Sequence, residues 1–129
     1  MKMLLFSFLT MLFIGGIISR WQEKQEPDLD QQVLDQLRKA GSNLAKHHNI
    51  DFFLYFPNEA SATEAAKNIQ DKVDSVTVEL GADQKNWLCF AHKRMVPDHD
   101  KLVTLRKVFN EVAQKGSGVY DGWGAEVVK

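Results

Sequence analysis

The chain has 129 residues and a single cysteine, Cys89. A lone thiol closes no internal disulfide and builds no structural zinc site. Charge is also nearly absent in net terms: 16 Lys and Arg stand against 17 Asp and Glu, a formal −1. The broad basic footprint of a nucleic-acid binder is therefore missing from the chain as a whole. No glycine-rich phosphate loop, nucleophile elbow or spaced carboxylate pair occurs, which removes the commonest nucleotide and hydrolase signatures. His47 and His48 are adjacent, so strand alternation sends their rings apart, and His92 and His99 are isolated. None of the four has ligand spacing, so no metal or cofactor is expected. Cys89 lies in an apolar run, with His92 on the opposite face by alternation. It reads as a small core hydrophobe without the neighbouring base that a catalytic thiol needs. Neither repeats nor low-complexity segments appear. No catalytic residue is assigned.

What the chain does have is unevenly placed. Met1 to Ser19 is almost wholly apolar, broken by Lys2, Ser7, Thr10 and two glycines. As a helix, residues 3–19 would run about 25 Å, the short end of a membrane span. An uncleaved anchor over 1–20 is preferred to a cleaved signal, because no small-x-small exit follows and Arg20-Trp21 stand where interfacial anchors belong. A core helix is disfavoured because the segment has no polar face. The basic residues Arg20, Lys24, Arg38 and Lys39 after the segment tilt the orientation toward a cytoplasmic C-terminal part, at an inner membrane. Residues 21–28 read as a polar tether containing Pro27, and 29–129 as one domain.

Within that domain, Leu29, Val33, Leu34 and Leu37 recur at helical spacing, with Asp28 or Asp30 as cap and Gly41 as stop. His48 to Phe56 reads as an aromatic strand ended by Pro57. Ser61-Ala62-Thr63-Glu64 has capping-box spacing and predicts a helix from there to about Lys72. Val76, Val78 and Leu80 alternate with Thr77 and Glu79, and after a polar turn at 81–86 the run Trp87 to His92 completes a hairpin. Asp98 caps a long helix with Leu102, Leu105, Phe109 and Val112 on its buried side, ended by Gly116. Val119 to Val127 closes as a strand whose glycines suit a bulge. The order is β-α-β-β-α-β behind one extra helix. This is an α+β chain of the ferredoxin-like, split βαβ type, with helices on one sheet face.

Alternation along the first strand puts Phe52, Leu54 and Phe56 on the core side and Asp51, Phe53 and Tyr55 on the other. Trp87 and Cys89 join the second set if Leu88 and Phe90 point inward. Two readings follow for these outer aromatics. In the preferred one the extra helix folds across the face and buries them. In the other they meet a partner protein, a role suited to Tyr and Trp. RNA stacking on the sheet is disfavoured, since Asp51 and Glu79 on that face repel phosphate and the basic aromatic signature is absent. The terminal Tyr120-Asp121-Gly122-Trp123-Gly124 either seats Trp123 on the core or displays a wedge to a partner. The candidate partner-binding residues are thus Phe53, Tyr55, Trp87, Tyr120, Asp121 and Trp123.

Three segments in this order, "FFLYFP", "NWLCFAHKRMVP" and "YDGWG", resemble the domain of the regulator of ribonuclease E activity B over roughly Asp30 to Val128. That resemblance implies a ferredoxin-like fold and a protein inhibitor instead of a catalyst. It implies contact with ribonuclease E outside its catalytic part and slower RNA cleavage. The hydrophobic opening departs from the soluble, acidic N-terminus of that family. It is compatible with a target working at the cytoplasmic face of the inner membrane. The rival expectation is an exported, membrane-attached domain of structural or sensor role that reuses the fold.

Overall fold

The computed structural model describes residues 27–129. The expected anchor over 1–20 and most of the tether lie outside the described residues. Among the described residues no helix is long and apolar enough to cross a membrane. These residues form three helices and four strands in the order α1 (Leu29–Lys39), β1 (His48–Phe56), α2 (Glu59–Ile69), β2 (Ser75–Leu80), β3 (Trp87–Met95), α3 (His99–Lys115) and β4 (Val119–Ala125).

Each helix starts on a side-chain cap. Asp28, Asn58 and Asp98 accept from the backbone N–H of Gln31, Ser61 and Lys101, which satisfies one otherwise orphaned donor at each start. Asn58 corrects the sequence expectation for α2. The Ser61–Glu64 spacing falls inside a helix that has already begun at Glu59, and the helix stops at Ile69 instead of Lys72. Beyond it the Lys72 N–H turns back to the Ile69 carbonyl at 2.9 Å, and Val73 folds into the core. Helix α1 ends at Lys39 with Ala40 as its C-cap, and Gly41 follows at a φ of 98°, the left-handed geometry expected just past a helix stop.

The strands form one antiparallel sheet in the order β2-β3-β1-β4. Strand β3 runs three residues past His92, to Met95, because β1 is long enough to pair with it from Phe56↔Trp87 to His48↔Met95. The register of β4 on β1 slips between Phe52↔Trp123 and Leu54↔Tyr120, a bulge at Asp121-Gly122 with Gly122 at φ 99°. Strand β4 stops at Ala125, two residues short of the expected Val127, because the tail leaves the sheet for the α1–β1 loop. There the Asn43 N–H donates to the Val128 carbonyl and the Val128 N–H to Ser42 Oγ. Ser42 Oγ also meets the buried His48 ring, whose other nitrogen lies 2.9 Å from the Lys46 carbonyl.

All three helices lie on one side of the sheet. Phe52, Leu54 and Phe56 point into that layer and are fully buried with Ile69, Leu102 and Phe109. Phe52 meets Phe109 edge to face, with centroids 5.0 Å apart. The preferred expectation for α1 is corrected here: it does not fold across the opposite face. Its Leu34 and Leu37 enter the same core as the other helices, and its neighbours are α3 and β4. The reason is a polar one. Asp30, 1 % exposed, accepts from Arg106 Nε and Nη2 and from Trp123 Nε1, all within 3.0 Å. A buried carboxylate is tolerable only with such donors, and they exist only on the helical side.

Candidate protein-docking face

The opposite face of the sheet carries no helix among the described residues. Residues paired across an antiparallel ladder share a face, so the register assigns it directly. Phe53 stands opposite Phe90, Tyr55 opposite Leu88 and Asp51 opposite His92; Thr77 and Glu79 of β2 continue the same two rows. Phe53 and Phe90 pack edge to face at 5.4 Å between centroids, and both rings are half-buried. Tyr55 is also half-buried, and Val119, its neighbour on β4, is 63 % exposed. The result is a shallow apolar strip of half-buried Phe53, Phe90 and Tyr55, with Leu88 buried beside them at 9 % exposure, whose outer side no described residue covers.

Each end of the strip opens into a depression. One, of about 330 Å³, is lined by Tyr55, Ala82, Asp83, Asn86, Val119 and Asp121. The other, of about 360 Å³, is lined by Asn49, Asp51, His92, Ala125 and Glu126. Both are bordered by carboxylates. Asp83 is held below the usual carboxylate range by the N–H groups of Lys85 and Asn86 in its turn. Asp51 lies 2.9 Å from His92 Nδ1.

The six sequence-assigned residues divide. Phe53 and Tyr55 lie on this face, and Asp121 is exposed at its edge. Trp87 is corrected: it pairs with Phe56 and packs on the helical side, together with Cys89 opposite Leu54. Leu88 and Phe90 take the outer positions. The sequence could not decide this, because both alternating sets of β3 contain large apolar residues. Tyr120 and Trp123 are corrected as well. They are 7 % and 6 % exposed and belong to the core, so neither ring is displayed. Arg106 lies over the Tyr120 ring at 5.1 Å. Burial pushes the Tyr120 phenol far above its usual range, and among the described residues its buried hydroxyl has no hydrogen-bond partner. Arg106 itself is raised by its bonds to Asp30.

Sequence reasoning missed Phe90, Leu88, Val119 and Asp83 as parts of the face. It also saw Asp30 only as a possible cap, not as the acceptor that joins α1 to α3 and β4. A buried acid needs a cation and donors from elsewhere in the chain, and nothing local to Asp30 announces Arg106 or Trp123.

Chemically, the face offers contact area and fixed negative charge. Among the described residues no three metal-ligating side chains converge. Burial pushes the Cys89 thiol up to about 11, which leaves it protonated at neutral pH.

A family model described as regulator of ribonuclease activity B matches residues 27–125. The match spans all seven elements of the fold, and the chain belongs to that family. No curated protein matches the chain.

Proposed function

We propose that this member of the regulator of ribonuclease activity B family restrains a ribonuclease by docking on it, without making or breaking a bond itself. The family supplies the activity that is regulated. The observation that carries the contact reading is the strip of half-buried Phe53, Tyr55 and Phe90, which no described residue covers, on an otherwise well-packed sheet. Half-wet aromatics on a rigid scaffold lose little side-chain entropy when a partner covers them, which is what interface anchors require. The β-α-β-β-α-β order behind α1, with β1 and β3 central, supports reading the fold as ferredoxin-like. Such a fold presents one sheet face by construction.

Ribonuclease E is the proposed target and inhibition the proposed direction, both resting on the sequence resemblance. Residues 1–20 are proposed as a tether that holds the domain at the cytoplasmic face of an inner membrane. A reporter active only in the periplasm, fused after Lys129, should stay silent. Activity there would remove a cytoplasmic target and favour the exported, structural or sensor role.

The direct test is cleavage of a labelled single-stranded RNA by ribonuclease E with increasing amounts of the full chain. Cleavage should slow, and Tyr55→Ala with Phe90→Ala should restore it while the circular dichroism spectrum holds. Unchanged cleavage at saturating protein would remove ribonuclease E as the target. Inhibition that survives both substitutions would remove this face as the means.

A further inference from the structure

The partner segment has a chemistry that the face itself specifies, and this inference rests on the docking reading above. The apolar strip lies between two acid-bordered depressions. Asp83 and Asp121 flank Tyr55 at one end, and Asp51 and Glu126 stand at the other. Glu79, opposite Leu88 on β2, adds a fifth carboxylate to the same side of the sheet. The cationic side chains of the face are fewer. Arg94 sits at the far end of β3, opposite Asn49, and His92 is engaged with Asp51. The turn that follows β2 carries Lys85, beside Asp83.

We propose that this face binds a basic protein segment, one that lays apolar side chains along Phe53 and Phe90 and sends a cation into each acidic depression. Asp51 and Tyr55 are four residues apart on β1, which separates the two depressions by about 13 Å. An extended segment spans that with cations four residues apart, and a helical one with cations about nine apart. The Tyr55 ring between two carboxylates favours arginine over lysine, since a planar guanidinium can stack on the ring while it donates to the acids. The same carboxylates oppose a phosphate backbone, so a nucleic acid is the wrong ligand for this surface.

The charge arrangement also predicts the form of the association. Carboxylates at the margin of an apolar strip act mostly on encounter rate and on partner choice, so binding should weaken with salt.

The test uses the full chain and two synthetic peptides of one pattern. In both, a leucine or tryptophan stands midway between two charged residues four positions apart, with serines at the intervening positions; the charged residues are arginines in the first and glutamates in the second. Affinity is read by fluorescence anisotropy of a labelled peptide, and the site by NMR shifts of Phe53, Tyr55 and Phe90. The arginine peptide should bind, perturb those three residues and lose affinity as salt rises. Asp121→Asn combined with Glu126→Gln removes two exposed carboxylates that accept no hydrogen bond among the described residues, so the fold should be untouched. Binding should fall about tenfold in that variant. Equal binding of the glutamate peptide, unchanged affinity in the double variant, or tighter binding of a single-stranded RNA at these residues would each overturn the inference. The ribonuclease assay separates this from the reading beneath it. If Tyr55→Ala abolishes inhibition while the double carboxylate variant inhibits normally, the docking face stands and the basic segment falls.

Discussion

Trp123 Nε1 donates to Asp30 Oδ1 at 3.0 Å, and this one bond ties the first helix to the last strand. Asp30 also takes two bonds from Arg106, so a carboxylate that is 1 % exposed sits at the junction of α1, α3 and β4. The three donors satisfy the acid together, and losing the acid strands all of them.

Replacing Asp30 by alanine should therefore cost about 3 kcal/mol, somewhat less than a fully buried pair because the Arg106 side chain is 22 % exposed and can reach water. Trp123→Phe, which removes one donor and some ring volume, should cost about 1–2 kcal/mol. Urea unfolding midpoints would measure both. An Asp30→Ala variant as stable as the parent would show that α1 is held by Leu34 and Leu37 alone.

A second expectation concerns pH. His99 Nε2 lies 2.7 Å from Asp28 Oδ2, and this bond raises the histidine above its ordinary 6.5. The folded state holds that proton more tightly than the unfolded chain does. The contribution is thus complete below pH 6.5 and disappears as pH rises through the folded value. Asp28 is lowered from 3.8, first by the Gln31 N–H it caps and then by His99. Its contribution is present above 3.8 and is lost as pH falls through the lowered value. Both groups are exposed, so the effect on stability is small. An NMR titration should place His99 above its ordinary value in the parent and lower in Asp28→Asn, where Asp100 alone still raises it. A parent value at or below 6.5 would contradict the pairing.

Two glycines should respond oppositely to alanine. A Cβ on Gly118 would collide with the Tyr55 carbonyl oxygen and reach 2.6 Å from the Phe56 ring. Phe56 is itself 1 % exposed and cannot retreat, so the substitution should cost about 3 kcal/mol. On Gly124 the Cβ meets nothing within 4 Å. Alanine there should be neutral or stabilise by about 0.5 kcal/mol, by narrowing the unfolded ensemble. Thermal unfolding of the pair tests the packing of β4 against the end of β1.

Cys89 offers a chemical check on the sheet assignment. It is fully buried on the helical side, with its thiol pushed up to about 11 by burial. At pH 8 a disulfide reagent should leave the native protein unmodified and react at once in denaturant. Rapid native labelling would mean that β3 is turned over and that Trp87 and Cys89 face outward.

Much of this architecture is legible in the chain, for identifiable reasons. Strand β1 shows itself through an aromatic alternation stopped by Pro57, and α3 through Asp98 and Gly116 at its ends. Both signals are local, so they can be read without knowing any distant contact. The start of α2 was misplaced because Asn58 caps as well as Ser61, and the local pattern does not rank them. The faces of β3 were undetermined because Trp87, Leu88 and Phe90 are all apolar, and only pairing with β1 sorts them. The place of α1 rests on Asp30 meeting Arg106 and Trp123, which stand 76 and 93 residues away. Long-range polar partners leave no periodic trace. The same bond decides Trp123, which a sequence reading could equally have put on the surface.

Among the described residues, helix α1 is fastened to the rest of the fold by side chains only: Asp28 to His99, Asp30 to Arg106 and Trp123, and an apolar stripe of Leu34 and Leu37. It shares no ladder with the sheet. Force applied at its leading end would strip it off one contact at a time while the strands stayed zipped. Amide protons of α1 should accordingly exchange with solvent sooner than those of β1, whose hydrogen bonds are shared with a strand on each side.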